Sequence, residues 1–336
     1  MKNNKNNQFL QRGLIKNFAS NGIVKWNKYQ TEEFGTFDIK EIKESSNLLE
    51  REGLKAIEKI IQQVNSNKKI ELTRKDLVTL KFFSCLNDVF KQTLDKENAE
   101  EVNSIILKYF DEFNKTGSTS NIQKDYYGSM EVNPFELEAE EPTGNEAEWD
   151  EWTKRNVTTK STTLLNIWEK MESRLAIFKF DESKLMLQET MGFIKTNKND
   201  NSKYLFMPIT PNIGMMFYHE PMSSRDLVPS EKPLFFNNDI RTYRHETVYK
   251  NIEIIKQEQL KYIEEQQTKS IEEIDYHNEM FFLHEVKKYY DLEDLFIYDA
   301  LKESAEVADM CNATALKHNA EQIIIYQNEK DIKNLK

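Results

Sequence analysis

The densest mixed polar cluster in the chain is Arg241, Thr242, Tyr243, Arg244, His245 and Glu246. Two guanidiniums at Arg241 and Arg244 can grip a phosphate or carboxylate, and the imidazole beside them can move a proton near neutral pH. With His219 as a further acid, base or ligand, the cluster would suit a metal-dependent nuclease or another phosphoryl-transfer enzyme. In that reading Arg241 and Arg244 bind phosphate, His245, Glu246 and His219 are the catalytic candidates, and a divalent metal is the cofactor. The plainer reading of the same residues is that they open a long helix and satisfy local acidic groups.

Other constellations are thinner. Of the five histidines, His219, His245 and His284 each precede a Glu, but neighbouring residues point in different directions on a helix or strand, so an HE pair alone carries little. His277 and His284 stand two helical turns apart with Glu273 one turn earlier, so the three could share a metal-facing edge or simply a salt-bridged surface. Trp149 and Trp152, in an acidic stretch, are candidate anchors for a protein partner's groove. No Gly-rich phosphate loop, nucleophile elbow, Cys-x-x-Cys or Walker-type Lys is present. The acidic-plus-Lys trio of a restriction-type nuclease finds only Asp181, Glu182 and Lys184, or Glu189 and Lys195, at unsuitable spacing.

The elements that must hold these residues are read from periodicity. Asn21-Gly22 is a strong two-residue hairpin signal, and it predicts a small β-hairpin within Ile15 to Tyr29. After Ser45 and Ser46, apolar residues from Leu49 to Val64 recur at helical spacing. Thr73 opens a second helix with an apolar face from Leu77 to Leu94, and Val102 to Phe110 define a third. These three predict a bundle. From Lys115 to Glu151 the pattern dissolves into a linker, lid or loop. Helical spacing resumes over Thr158 to Phe180. Short apolar runs at Leu185–Leu187, Met191–Ile194, Tyr204–Ile209 and Ile213–Tyr218 then read as strands of one small sheet. A long charged helix is predicted over Thr247 to Tyr289, and a last helix over Leu301 to Ala320 before an apolar IIIY end.

The chain has 336 residues, enough for one large domain or two ordinary ones. Twenty Phe, fourteen Tyr and four Trp supply far more aromatic mass than disordered chains carry, while only nine Gly and seven Pro argue for long helices over tight turns. A net charge of −11 argues against nonspecific duplex binding by the molecule as a whole. Locally the balance reverses, because Lys2, Lys5, Arg12, Lys16, Lys25 and Lys28 precede the first acidic residue, Glu32. That basic segment, with Trp26 and Tyr29 as stacking residues, would suit RNA. Glu131 to Glu151 is the opposite, acidic without Lys or Arg. Cys85 and Cys311 lie far apart in apolar helical patterns and read as reduced core residues in a reducing compartment. No apolar run is long enough for a membrane span, so no membrane association and a cytoplasmic location are expected.

Three stretches resemble DUF4238, a bacterial family of unknown function. QFLQRGLIKNF, Gln8 to Phe18, is similar to that family's opening and matches it at Asn17 and Phe18, with Lys16 in place of Arg. YLFMPITPNIGMMFY, Tyr204 to Tyr218, resembles its Leu-Pro-Ile-Ser-Pro stretch before an apolar strand. MCNATALKHNAEQIIIY resembles its closing helix, with Asn312 at the Asn position. The family's leading His falls on Gln8, which cannot change charge as His does, and its Ser-Asp-Asn-Pro turn is not recognisable in GFIKTNKND. If those polar residues form an active site in the family, this chain departs from it.

The expected fold is therefore α+β but predominantly helical: a helical bundle with a small antiparallel β-sheet and a long charged C-terminal helix. Four segments are expected: residues 1–31, basic with the hairpin; 32–114, the bundle; 115–151, an acidic linker or loop; and 152–336, a helix, the small sheet and the C-terminal helices. The favoured function is a noncatalytic protein-binding factor, in a setting of bacterial or phage conflict, with no cofactor. Metal-dependent phosphoryl transfer and RNA binding are the alternatives.

Overall fold

A computed structural model describes residues 12–28, 33–41, 47–86, 96–129, 158–182, 184–188, 191–196, 203–218, 292, 295–318 and 323–327. Local sequence explains most helix boundaries. A short helix α1 (Arg12–Ile15) and the 3-10 turn Lys16–Phe18 bury Leu14, Ile15 and Phe18. Helix α2 (Leu48–Asn65) is capped by Asn47, whose side chain accepts from Leu49 N–H, and it buries Leu49, Ala56, Ile57, Ile60 and Val64. Thr73 and Asp76 close a capping box at the start of α3 (Arg74–Cys85), satisfying two backbone donors that a helix start otherwise leaves unpaired. Helices α4 (Lys96–Thr116), α5 (Ser120–Ser129) and α6 (Thr159–Glu172) follow.

The expectation of a predominantly helical bundle with one small sheet is overturned, because the described strands form three sheets. The first has strand order β2-β1-β11-β5 and is antiparallel throughout: β1 (Ile23–Lys28), β2 (Glu33–Asp38), β5 (Leu187–Gln188) and β11 (Ile323–Tyr326). The second, of five strands, runs β10-β4-β8-β7-β6. It contains β4 (Arg174–Phe180), β6 (Phe193–Thr196), β7 (Lys203–Thr210), β8 (Ile213–Tyr218) and β10 (Ala300–Glu303), with only the β10–β4 pair parallel. The third is a two-stranded pair of β3 (Ile70–Thr73) and β9 (Leu295–Tyr298). The physical reason is non-local pairing. Strands β1, β3 and β4 find four-residue partners near the end of the chain, and no local periodicity announces such pairs.

Four further corrections concern single elements. Ser120–Ser129, within the stretch read as a linker, lid or loop, form α5, and Leu301–Glu303, read as the start of the last helix, belong to β10. Asn21 and Gly22 do make a tight turn, with φ of 53° and 79° and mutual backbone bonds between Ser20 and Ile23. The residues before that turn are helical, however, because Leu14, Ile15 and Phe18 bury one helical face; the hairpin partner of β1 is β2. Leu175 and Phe178, read as the end of a helix, belong to β4. The long charged helix predicted over 247–289 lies outside the described residues.

The five-stranded sheet is covered on both sides. Ala176, Phe178 and Phe180 of β4, Phe193 of β6, Phe206 of β7 and Met216 of β8 pack against Ala308, Cys311 and Ala315 of α7 (Ala305–His318). The alternate residues Leu175, Ile177, Leu205, Met207, Ile209, Met215 and Phe217 face the larger apolar cluster formed with the helices. That cluster also takes in Val24, Leu187 and Ile325 from the inner face of the first sheet.

Candidate functional site

The residues that the sequence singles out for catalysis, phosphate, metal or protein-partner binding lie outside the described residues: His219, Arg241, Arg244, His245, Glu246, Glu273, His277, His284, Trp149 and Trp152. Among the described residues, no three His, Cys, Asp or Glu side chains converge in a way that could hold a metal ion. Lys184 does meet two carboxylates, Asp309 at 3.3 Å and Glu182 at 3.4 Å. This contact fastens the start of the β5 segment to α7. Deeper under α7, Asn312 accepts from Met186 N–H at 3.0 Å and donates to Lys184 C=O at 2.8 Å.

Burial pushes up the titration of three groups near α7. Burial, then the charge of Glu303, pushes the Cys311 thiol up, and Cys311 is only 1% exposed. Burial, then Cys311, pushes Tyr204 up to about 12, and burial alone raises Glu303. A thiol held protonated is a poor nucleophile. Cys85, also buried and in no disulfide, completes the pair of core cysteines.

The first sheet is different, because its polar groups are not satisfied. Register places Val24, Trp26 and Lys28 of β1 on one face with Glu33, Gly35 and Phe37 of β2; Ile23, Lys25 and Asn27 share the other face with Phe34, Thr36 and Asp38. Val24 is buried in the main cluster, with Trp26 and Phe37 packed against it. A Cβ on Gly35 would sit 2.9 Å from the Trp26 indole, so only glycine lets the ring lie flat across β2. Trp26 is therefore a half-buried residue turned toward the core; Tyr29 lies outside the described residues.

On the other face, Phe34, Asn27, Ile324 and Gln188 fall in one cross-strand row through β2, β1, β11 and β5, open at Phe34 and covered at Ile324, which packs with Met186, Tyr326 and Leu316 of α7. Asn27 Oδ1 and Gln188 Oε1 are buried without a hydrogen-bond partner, the two orphaned side-chain oxygens among the described residues. Each such group costs about 1–3 kcal/mol until a donor reaches it. At the open end of the row Phe34 is 76% exposed, and Ile23 on the same face is 41% exposed. Large apolar side chains beside unmet polar groups are a pattern of interaction surfaces. Only the hairpin signal pointed here; the β11 and β5 contributions come from chain segments roughly 160 to 300 residues away, beyond any local reading.

No family model, no curated protein and no solved structure matches the chain. Among the described residues no helix is long and apolar enough to cross a membrane.

Proposed function

We propose that the protein is a noncatalytic binding factor and that a protein partner docks on the Phe34 face of its first sheet. The observation that carries this reading is Phe34, 76% exposed, with Ile23, 41% exposed, on the same face of the hairpin. A rigid aromatic ring on a sheet anchors a partner at little entropic cost.

The test is quantitative capture with tagged wild-type protein and Phe34→Ser, each with a nuclease-treated control. Because Phe34 is exposed, the substitution should leave folding stability within about 0.5 kcal/mol. Loss of an anchor should weaken a bound protein by about thirtyfold. A protein captured equally by both forms, or recovery of nuclease-sensitive material alone, would refute the reading.

A further inference from the structure

The free edge of β2 has its own chemistry. Ile39 N–H donates to Gly22 C=O, one step beyond the β1–β2 register. Bonded and non-bonded pairs alternate in an antiparallel ladder, so Val24–Phe37, Trp26–Gly35 and Lys28–Glu33 exchange backbone bonds and the pairs between them do not. Ile23 confirms the phase, since both its N–H and its C=O are turned the other way, to Ser20. The peptide groups of Phe34, Thr36 and Asp38 consequently point out of the sheet. Strand β2 ends the sheet order, and among the described residues no strand lies beyond it.

Natural edge strands are commonly guarded by Lys, Pro, a bulge or a covering element. The sequence of β2, EFGTFD, has neither Lys nor Pro, and its pairing with β1 runs without a register shift. Its charges are instead two carboxylates, Glu33 and Asp38, at the two ends of the strand. Neither takes part in an ion pair among the described residues, and Asp38 Oδ1 accepts only the backbone N–H of Lys40 at 2.9 Å. Twofold antiparallel pairing with a second copy would have to centre on Gly35 or on Thr36, because residues directly opposite share a face and a bonding phase, and neither centre places a Lys or Arg opposite Glu33 or Asp38. A second copy on this edge therefore leaves both carboxylates without a neutralising partner.

We infer that β2 is completed by an extended segment of a basic protein partner, which adds as a strand along Phe34, Thr36 and Asp38 and places Lys or Arg opposite Glu33 and Asp38. The inference rests on the protein-binding reading above and adds its mode and the partner's charge. Main-chain bonds supply affinity in such strand addition, and flanking side chains supply selectivity. The two carboxylates lie five residues apart on opposite faces, so the fitting segment carries its basic residues five apart, in either chain direction.

The probe is a blocked, fluorescently labelled peptide, Lys-Val-Thr-Val-Thr-Lys, titrated against the full chain up to millimolar concentration, beside the same peptide with Glu at both ends. The basic peptide should bind at least about tenfold more tightly at low salt, a preference that shrinks as salt screens the exposed pairs. Thr36→Pro should abolish binding while the sheet persists, because the Thr36 N–H faces the free edge, where proline is tolerated. A second measurement leaves the protein untouched: N-methylation of the basic peptide on alternate residues, in the two possible phases, should eliminate binding in one phase and preserve it in the other. Equal affinity for both peptides, no binding of the basic one, or indifference to both the proline and the N-methyl groups would overturn the inference. If Phe34-dependent capture of a protein persists in that case, the binding reading stands and strand addition alone falls.

Discussion

The residues with the most demanding hydrogen-bond geometry in this chain hold backbone, and they do so between distant segments. Asn17 Nδ2 donates to Ile209 C=O at 3.1 Å, tying the turn after α1 to β7. Asn312, 2% exposed, both accepts from Met186 N–H and donates to Lys184 C=O, so one side-chain amide satisfies a peptide donor and a peptide acceptor on the strand-poor segment before β5. Asn312→Ala should leave both groups unpaired beneath α7, destabilising the fold by about 2–4 kcal/mol. Asn312→Asp should also destabilise, since it keeps the acceptor but loses the donor and buries a charge. Urea unfolding midpoints check both, and midpoints equal to wild type would show that the two peptide groups find other partners. In sequence Asn312 stood out only through a family resemblance, and Asn17 likewise. Their structural work was not legible, because an asparagine that bridges segments more than a hundred residues apart leaves no local trace.

At the scale of elements, the helices were legible and the strands only partly so. Apolar spacing placed α2, α3, α4 and most of α6, and the Thr73 start of α3 proved to be a capping box. The runs at Tyr204 and Ile213 became β7 and β8. Strand β4 was misread because its apolar run RLAIFKF is buried on both faces, between α7 and the main cluster, and so shows no alternation. Where α2 meets α3, the sequence gives no warning of a tight contact: a Cβ on Gly53 would fall 2.4 Å from Cδ2 of the buried Phe83 ring. Alanine is the better helix former by about 1 kcal/mol, but forcing a methyl into a packed core costs about 1–3 kcal/mol. Gly53→Ala should therefore lower the thermal midpoint, and pairing it with Phe83→Leu, which withdraws the ring, should recover part of the loss. A rise in midpoint for the single variant would mean that the two helices can part without penalty.

For the whole molecule, the decisive feature is that the chain's last described strand sits inside its first sheet. Strand β11 lies between β1 and β5, with Lys25 opposite Tyr326, Trp26 opposite Ile325 and Ile325 opposite Leu187. Val24, Leu187 and Ile325, all fully buried, close that side of the main cluster. The β3–β9 and β4–β10 pairs repeat the arrangement, each joining an earlier segment to residues 295–303. This closure explains why composition and periodicity suggested a helical bundle: a sheet whose neighbours are far apart in sequence is invisible until the chain has folded around it. It also makes a strong demand on the proposed binding surface. A lone two-stranded hairpin is marginal in water, so β1 and β2 should need β11 to present Phe34 and the free edge at all. Ending the chain at residue 322 should remove amide-exchange protection from Val24–Lys28 and from Glu33, Gly35 and Phe37 together, while the α2 amides from Ile57 to Val64 stay protected by their own packing. Retained protection in β1 and β2 would show that the hairpin is held by Trp26 over Gly35 and by the inner face alone, and the surface would then be independent of the chain's closure.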